Sequence, residues 1–233
     1  VWAKSFGAGA YVSTTSVAVD GDGNVYTAGR FNDTADFDPG LGTTNLTAQP
    51  PGQPAYVSKL DSSGDLVWAK SFGGTNGNGV LVEGLALDSL DNIYTTGAFN
   101  GTADFDPGPE SFNMTSAPRY GSSANNEGFV SKLDSSGNLV WAKRFGAHLP
   151  DSGNSVVVDS SDNVYVAGWT RTVAAEYPDP GNDVILLGSR VAAANYDEEA
   201  FFFKLDPSGN LVTTVPGVPT SLSAIPGDTQ MAL

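Results

Sequence analysis

Apolar residues along this chain gather in short runs separated by turn formers, and the runs have β character. In the first third they cover residues 17–20, short and apolar, residues 24–31, rich in aromatic and β-branched side chains, and residues 56–61 and 66–72. Between the first and second runs of successive units stand DGDGN, DSLDN and DSSDN; between the third and fourth stand DSSGD, DSSGN and DPSGN. Each suits a type I hairpin turn with a left-handed Gly or Asn, so the pattern predicts antiparallel four-strand meanders.

The meander recurs. VWAKSFG begins at Val1 and at Val67, and VWAKRFG at Val140. YVSKLDSSGDLV from Tyr56 returns as FVSKLDSSGNLV from Phe129 and FFKLDPSGNLV from Phe202. SVAVDGDGNVYTAG from Ser16 matches LALDSLDNIYTTG from Leu85 and SVVVDSSDNVYVAG from Ser155, which makes Asp20, Asp88 and Asp159 equivalent. Repeated four-strand units are the signature of propeller blades packed face to face. The expectation is an all-β, β-propeller-type array of three four-stranded antiparallel blades, partial or open within this chain. Its parts are residues 1–7, the last strand of a preceding or shared blade, and blades at 8–73, 74–146 and 147–214. Residues 215–233 break the period and read as a linker.

These motifs resemble the seven-bladed β-propeller repeat family of bacterial secreted and surface proteins and, more distantly, NHL propeller repeats. VPGVPTSLSAIPGDTQMAL from Val215 is similar to the opening of a fibronectin type III domain, too short to bury a core of its own. The resemblance implies an extracellular or cell-surface protein. Closed propellers use about four to eight blades, so three predict further blades elsewhere, association of copies, or an arc held by another protein. The expected partners are therefore neighbouring blades or protein subunits, self-association included.

The period of roughly 70 residues exceeds the ~40–50 of common propeller blades. The excess lies between the second and third strands, at residues 32–55, 100–128 and 170–200, where NLT, SFNMTS and DVILLG are locally β-like. Meander geometry puts these insertions and the blade-to-blade crossovers at one end and the short turns at the other. The elaborated end is the candidate working surface.

Charge narrows the partners. Acidic residues number 26 against 11 basic, a formal net charge of -15, which disfavours nucleic acid and anionic membranes. The absence of Cys and the single His exclude disulfide frameworks, thiolate metal sites and multi-histidine centres. No run of about 18 apolar residues predicts membrane insertion.

The sharpest polar motif is TADFDPG, with Asp36 and Asp38 in the first unit, Asp104 and Asp106 in the second, and the altered Glu176 and Asp179 in the third. If extended, carboxylates two residues apart share one side and repel unless a cation intervenes, and calcium, a hard ion taking oxygen ligands, suits them. The alternative is that they bind turn amides. Asp20, Asp22 and Asn24 alternate like a calcium loop but lack the downstream Glu, and they read as a turn. Trp2, Trp68 and Trp141, with Phe6, Phe72 and Phe145, recur at fixed positions and read as inter-blade packing. Trp169 stands where the other units have Arg30 and Ala98. His148 has no nucleophile motif beside it, and a carboxylate pair copied by each blade is unlike a catalytic pair, whose two environments must differ. Asn32, Asn45, Asn100 and Asn113 open Asn-x-Thr triplets, glycan acceptors in a glycosylating pathway.

The reading is a non-catalytic extracellular scaffold or binding propeller segment with acidic, calcium-binding loops. One alternative is a polysaccharide-binding propeller exposing Trp169 or Tyr120; another is a carbohydrate-active enzyme.

Overall fold

The computed structural model describes residues 1–49, 52–74, 79–116, 126–146, 150–171, 184–185 and 198–212. Every named element among them is a strand. The first unit holds β1 (Val12–Val19), β2 (Val25–Phe31), β3 (Thr34–Asp36), β4 (Asn45–Thr47), β5 (Ala55–Leu60) and β6 (Leu66–Phe72). The second holds β7 (Val80–Leu87), β8 (Ile93–Asn100), β9 (Thr102–Asp104), β10 (Asn113–Thr115), β11 (Asn126–Leu133) and β12 (Leu139–Phe145). The third holds β13 (Asp151–Val158), β14 (Val164–Arg171), β15 (Val184–Ile185) and β16 (Glu198–Leu205). The main sheets run β1-β2-β5-β6, β7-β8-β11-β12 with β15 added in parallel beside β12, and β13-β14-β16. After β16 the chain turns back, with Leu211 bridging Leu205 and Val212 N–H donating to Lys204 O at 2.9 Å. The insertions add a small hairpin to each of the first two units, β3 with β4 and β9 with β10.

The left-handed turn position is Gly64, Gly137 or Gly209 between the third and fourth strands. Between the first and second it is Gly23, then Asp91 and Asp162 at φ 59° and 60°; the sequence pointed instead to the Asn that follows. Every first strand carries a bulge at one equivalent place, at Thr14/Ser16, Val82/Gly84 and Gly153/Ser155. The bulge explains the glycine closing each YTAG-like motif. A Cβ on Gly29, Gly97 or Gly168 would lie 1.9, 1.8 or 2.0 Å from the backbone oxygen of Ser13, Leu81 or Ser152.

The blades pack face to face in chain order. One apolar cluster joins Tyr26, Ala28 and Val57 of the first to Val82, Leu85 and Ile93 of the second, and another joins Tyr94 and Val130 to Val156, Val166 and Phe203 of the third. Exposure at one equivalent position shows what burial depends on. Leu85 is 7% and Val156 4% exposed because a blade precedes each, whereas Val17 is 62% exposed. At the other end of the stack Phe202 is 85% exposed, while its counterparts Val57 and Val130 are fully buried. Covering one such side chain contributes about 1.5–3 kcal/mol, so the stack is stabilised through its junctions.

Candidate functional site

At the short-turn end each blade builds the same polar network. The Asp that opens the first turn accepts backbone N–H bonds from residues two and four further on, the Asn amide, and the Tyr hydroxyl of the second strand. In the central blade these bonds to Asp88 come from Leu90 and Asn92 N–H at 2.9 Å, Asn92 Nδ2 at 2.8 Å and Tyr94 Oη at 3.1 Å. Lys132 Nζ completes it at 3.1 Å, against an Asp88 side chain only 1% exposed. Asp20, Asn24, Tyr26 and Lys59 repeat the set in the first blade, with the Lys at 3.8 Å, and Asp159, Asn163, Tyr165 and Lys204 in the third, at 3.7 Å. Burial pushes the Asp88 carboxyl up, but the Asn92 amide, the two turn amides and Lys132 together hold it below the usual aspartate range. Burial, reinforced by the Asp88 charge, pushes the Tyr94 phenol up.

A Trp and a Lys two residues apart join consecutive units. Trp2 Nε1 donates to Ser62 O at 3.0 Å and Lys4 pairs with Asp65 at 3.2 Å. Trp68 lies against Gly137 while Lys70 Nζ donates to Asn138 Oδ1 at 2.9 Å, and Trp141 Nε1 reaches Pro207 O at 3.3 Å with the Lys143 stem against Gly209. The outer segment of one unit thus grips the third-to-fourth-strand turn of the next, as inter-blade packing requires. Residues 1–7 join no named strand, yet they make the same grip.

At the insertion end the TADFDPG residues are placed by hairpins. The hairpin pairing continues past the first Asp, with Phe37 N–H donating to Thr44 O at 2.8 Å and Phe105 N–H to Phe112 O at 2.9 Å, and both Asp carboxylates take up backbone amides. Asp36 Oδ1 accepts Asp38 N–H at 3.0 Å and Thr44 N–H at 2.8 Å, and Asp38 Oδ1 accepts Gly40 N–H at 2.7 Å. Asp104 and Asp106 repeat this with Asp106, Phe112 and Gly108. Among the described residues no three His, Cys, Asp or Glu side chains converge as a metal-binding group.

The motif's anchor is its central Phe, which its two carboxylates masked in the sequence. Phe37 is fully buried and stacks on Phe6 at 5.4 Å; Phe105 is 1% exposed and lies 5.7 Å from Phe72. Gly7 N–H donates to Asp36 O at 2.6 Å, and Gly73 N–H to Asp104 O. Each hairpin therefore braces its own blade against the outer segment of the preceding unit.

Trp169 is half-buried in β14 with the Arg171 guanidinium 5.8 Å from its ring centre. Glu176, Asp179, Tyr120, His148 and the fibronectin-like residues 215–233 lie outside the described residues. Two polar pairs had no signal in the repeat. Fully buried Glu127 meets Arg144 at 2.6 Å where the first unit has Pro54 and Ser71, and buried Asp151 is hydrogen-bonded by Thr170 where the second unit has Val80 and Phe99.

Antiparallel meanders stacked in order, each with the same turn network and the same grip on its neighbour, define a β-propeller-type array. A family model described as a β-propeller repeat, SBBP, matches at residues 1–32 and again at 140–171. Each match opens on the VWAK segment and runs through the first two strands of the blade that follows, so the repeat spans a blade junction. No curated protein matches the chain.

Proposed function

We propose that this chain is a non-catalytic scaffold segment of an extracellular or cell-surface propeller, presenting its insertion-bearing end for contact. The repetition of the ionisable networks carries this reading. The Asp-Asn-Tyr-Lys set recurs in all three blades with its partners inside the blade, as expected of groups that serve each blade. The TADFDPG carboxylates accept turn amides beside the buried Phe37 and Phe105, which supports a turn-forming role for them in this reading.

Trimming the hairpin tips tests the reading. Residues 38–43 and 106–111 are replaced by short turns, and binding to bacterial envelope preparations is measured by co-sedimentation. The expected result is a variant that stays folded, with a lower melting temperature, but loses co-sedimentation, and a parent chain with no turnover on a panel of glycans and peptides. Unchanged binding by the trimmed variant, or turnover by the parent, would overturn it.

A further inference from the structure

A cleft of about 280 Å³ opens at the insertion end of the junction between the first two blades. Its polar lining is Arg30, Gln53, Asn100 and Asn126, and its apolar lining includes Val80 and Phe99. Arg30 sits in β2, paired in register with Ala55 and Ser13. It is half-buried, and among the described residues it makes no ion pair. The equivalent positions are Ala98 and Trp169, so no blade structure requires a cation there. Asn100 is held in place, its Oδ1 accepting Gly79 N–H at 3.1 Å, and its Nδ2 lies 3.5 Å from Asn126 Oδ1. Gln53 is fixed through its backbone, whose carbonyl accepts Val80 N–H at 3.1 Å.

We propose that this cleft binds one hexuronate-sized sugar ring through its carboxylate. Arg30, the only charged group lining the cleft among the described residues, offers a planar donor fork that matches a carboxylate. The side-chain amides of Gln53 and Asn126 offer donors and acceptors for ring hydroxyls, and half-buried Leu81 with Ala98 presents the apolar surface for C–H groups, Val80 and Phe99 lying behind it in the core. The cleft is small beside ordinary ligand pockets of ~300–1,000 Å³, which restricts the ligand to a single ring. The proposal rests on the scaffold reading only in placing contact at the insertion end. A point change at Arg30 is separate from trimming the hairpins, so either can fail alone.

Calorimetric titration of the intact chain with sodium glucuronate, glucose and sodium acetate tests it. Glucuronate is expected to bind saturably, with glucose and acetate at least tenfold weaker. Arg30→Ala should weaken glucuronate about 10- to 100-fold, and Arg30→Lys less, because an ammonium cannot form the paired bonds. Arg30→Gln provides the same comparison should the alanine variant unfold. Polygalacturonate binding more tightly than the monomer would identify the source as a polymer, and monomer binding alone would identify a free acid sugar. Equal affinity for glucuronate and glucose, equal affinity for acetate, or unchanged binding by the folded Arg30 variants would overturn the proposal.

Discussion

Replacing Asp88 by Ala in the central blade removes the acceptor of four hydrogen bonds and the partner of Lys132. Two of the donors are stranded away from water. Tyr94 is fully buried and Lys132 is 8% exposed, with its ammonium 4.9 Å from the centre of the Tyr94 ring. Breaking a buried pair from one side costs about 3–5 kcal/mol, because the remaining charge keeps its desolvation penalty. Lys132→Met is milder, about 1–2 kcal/mol, since Asp88 keeps its turn amides, Asn92 and Tyr94. The double variant should recover about 1–3 kcal/mol relative to the sum of the single changes. Urea unfolding of the four proteins measures this. The molecule supplies its own control in Asp159→Ala. That residue opens a closely similar turn, DSSDN in place of DSLDN, with equivalent turn bonds, but its side chain is 32% exposed and that of Lys204 33%, so its loss should be far smaller. Equal losses at Asp88 and Asp159, or a loss below about 1 kcal/mol at Asp88, would refute the argument that burial by the next blade sets the strength of the network.

Other outcomes follow from the same geometry. Asp36→Ala with Asp38→Ala should cost about 1–3 kcal/mol through three lost turn bonds. The melting temperature should fall equally in calcium and in chelator, and a loss confined to calcium would instead support calcium binding by these loops. Asp88 and Asp20 are both held below the ordinary aspartate range in the folded chain, so their contribution is complete above about pH 4 and is lost as pH falls toward their folded values. Asp88→Asn should flatten that acid limb in a stability-versus-pH series. Trp68→Ala, which removes a half-buried ring lying against both Tyr26 and the Gly137 turn, should cost roughly 2 kcal/mol by denaturant unfolding. Gly97→Ala should prevent accumulation of folded protein, because its Cβ would meet the Leu81 carbonyl at 1.8 Å and neither backbone can move within the bulge.

The repeat, the strand order within a meander and the positions of the turns were legible in the amino-acid sequence. These depend on local chemistry: an Asp that accepts amides two and four residues ahead needs no distant partner, and tight turns between short strands fix which residues pair. It also placed Trp68 and Trp141 at the junctions, since a large apolar ring recurring at one strand position has packing as its simplest cause. The packing of the TADFDPG motif became visible in the folded chain alone. Its carboxylates dominate the written sequence, yet the buried Phe is fixed by the outer segment of another unit, a contact made across a long stretch of chain. The same holds for Lys59, Lys132 and Lys204, whose partners lie in the turn between the first two strands, and for the Glu127–Arg144 pair, which no other unit repeats among the described residues. Identical motifs at Asp88 and Asp159 differ in burial for one reason. A following blade covers Asp88, as it covers Asp20, whose side chain is likewise shut off from water, and among the described residues none follows Asp159, so position in the stack sets the dielectric in which each charge sits.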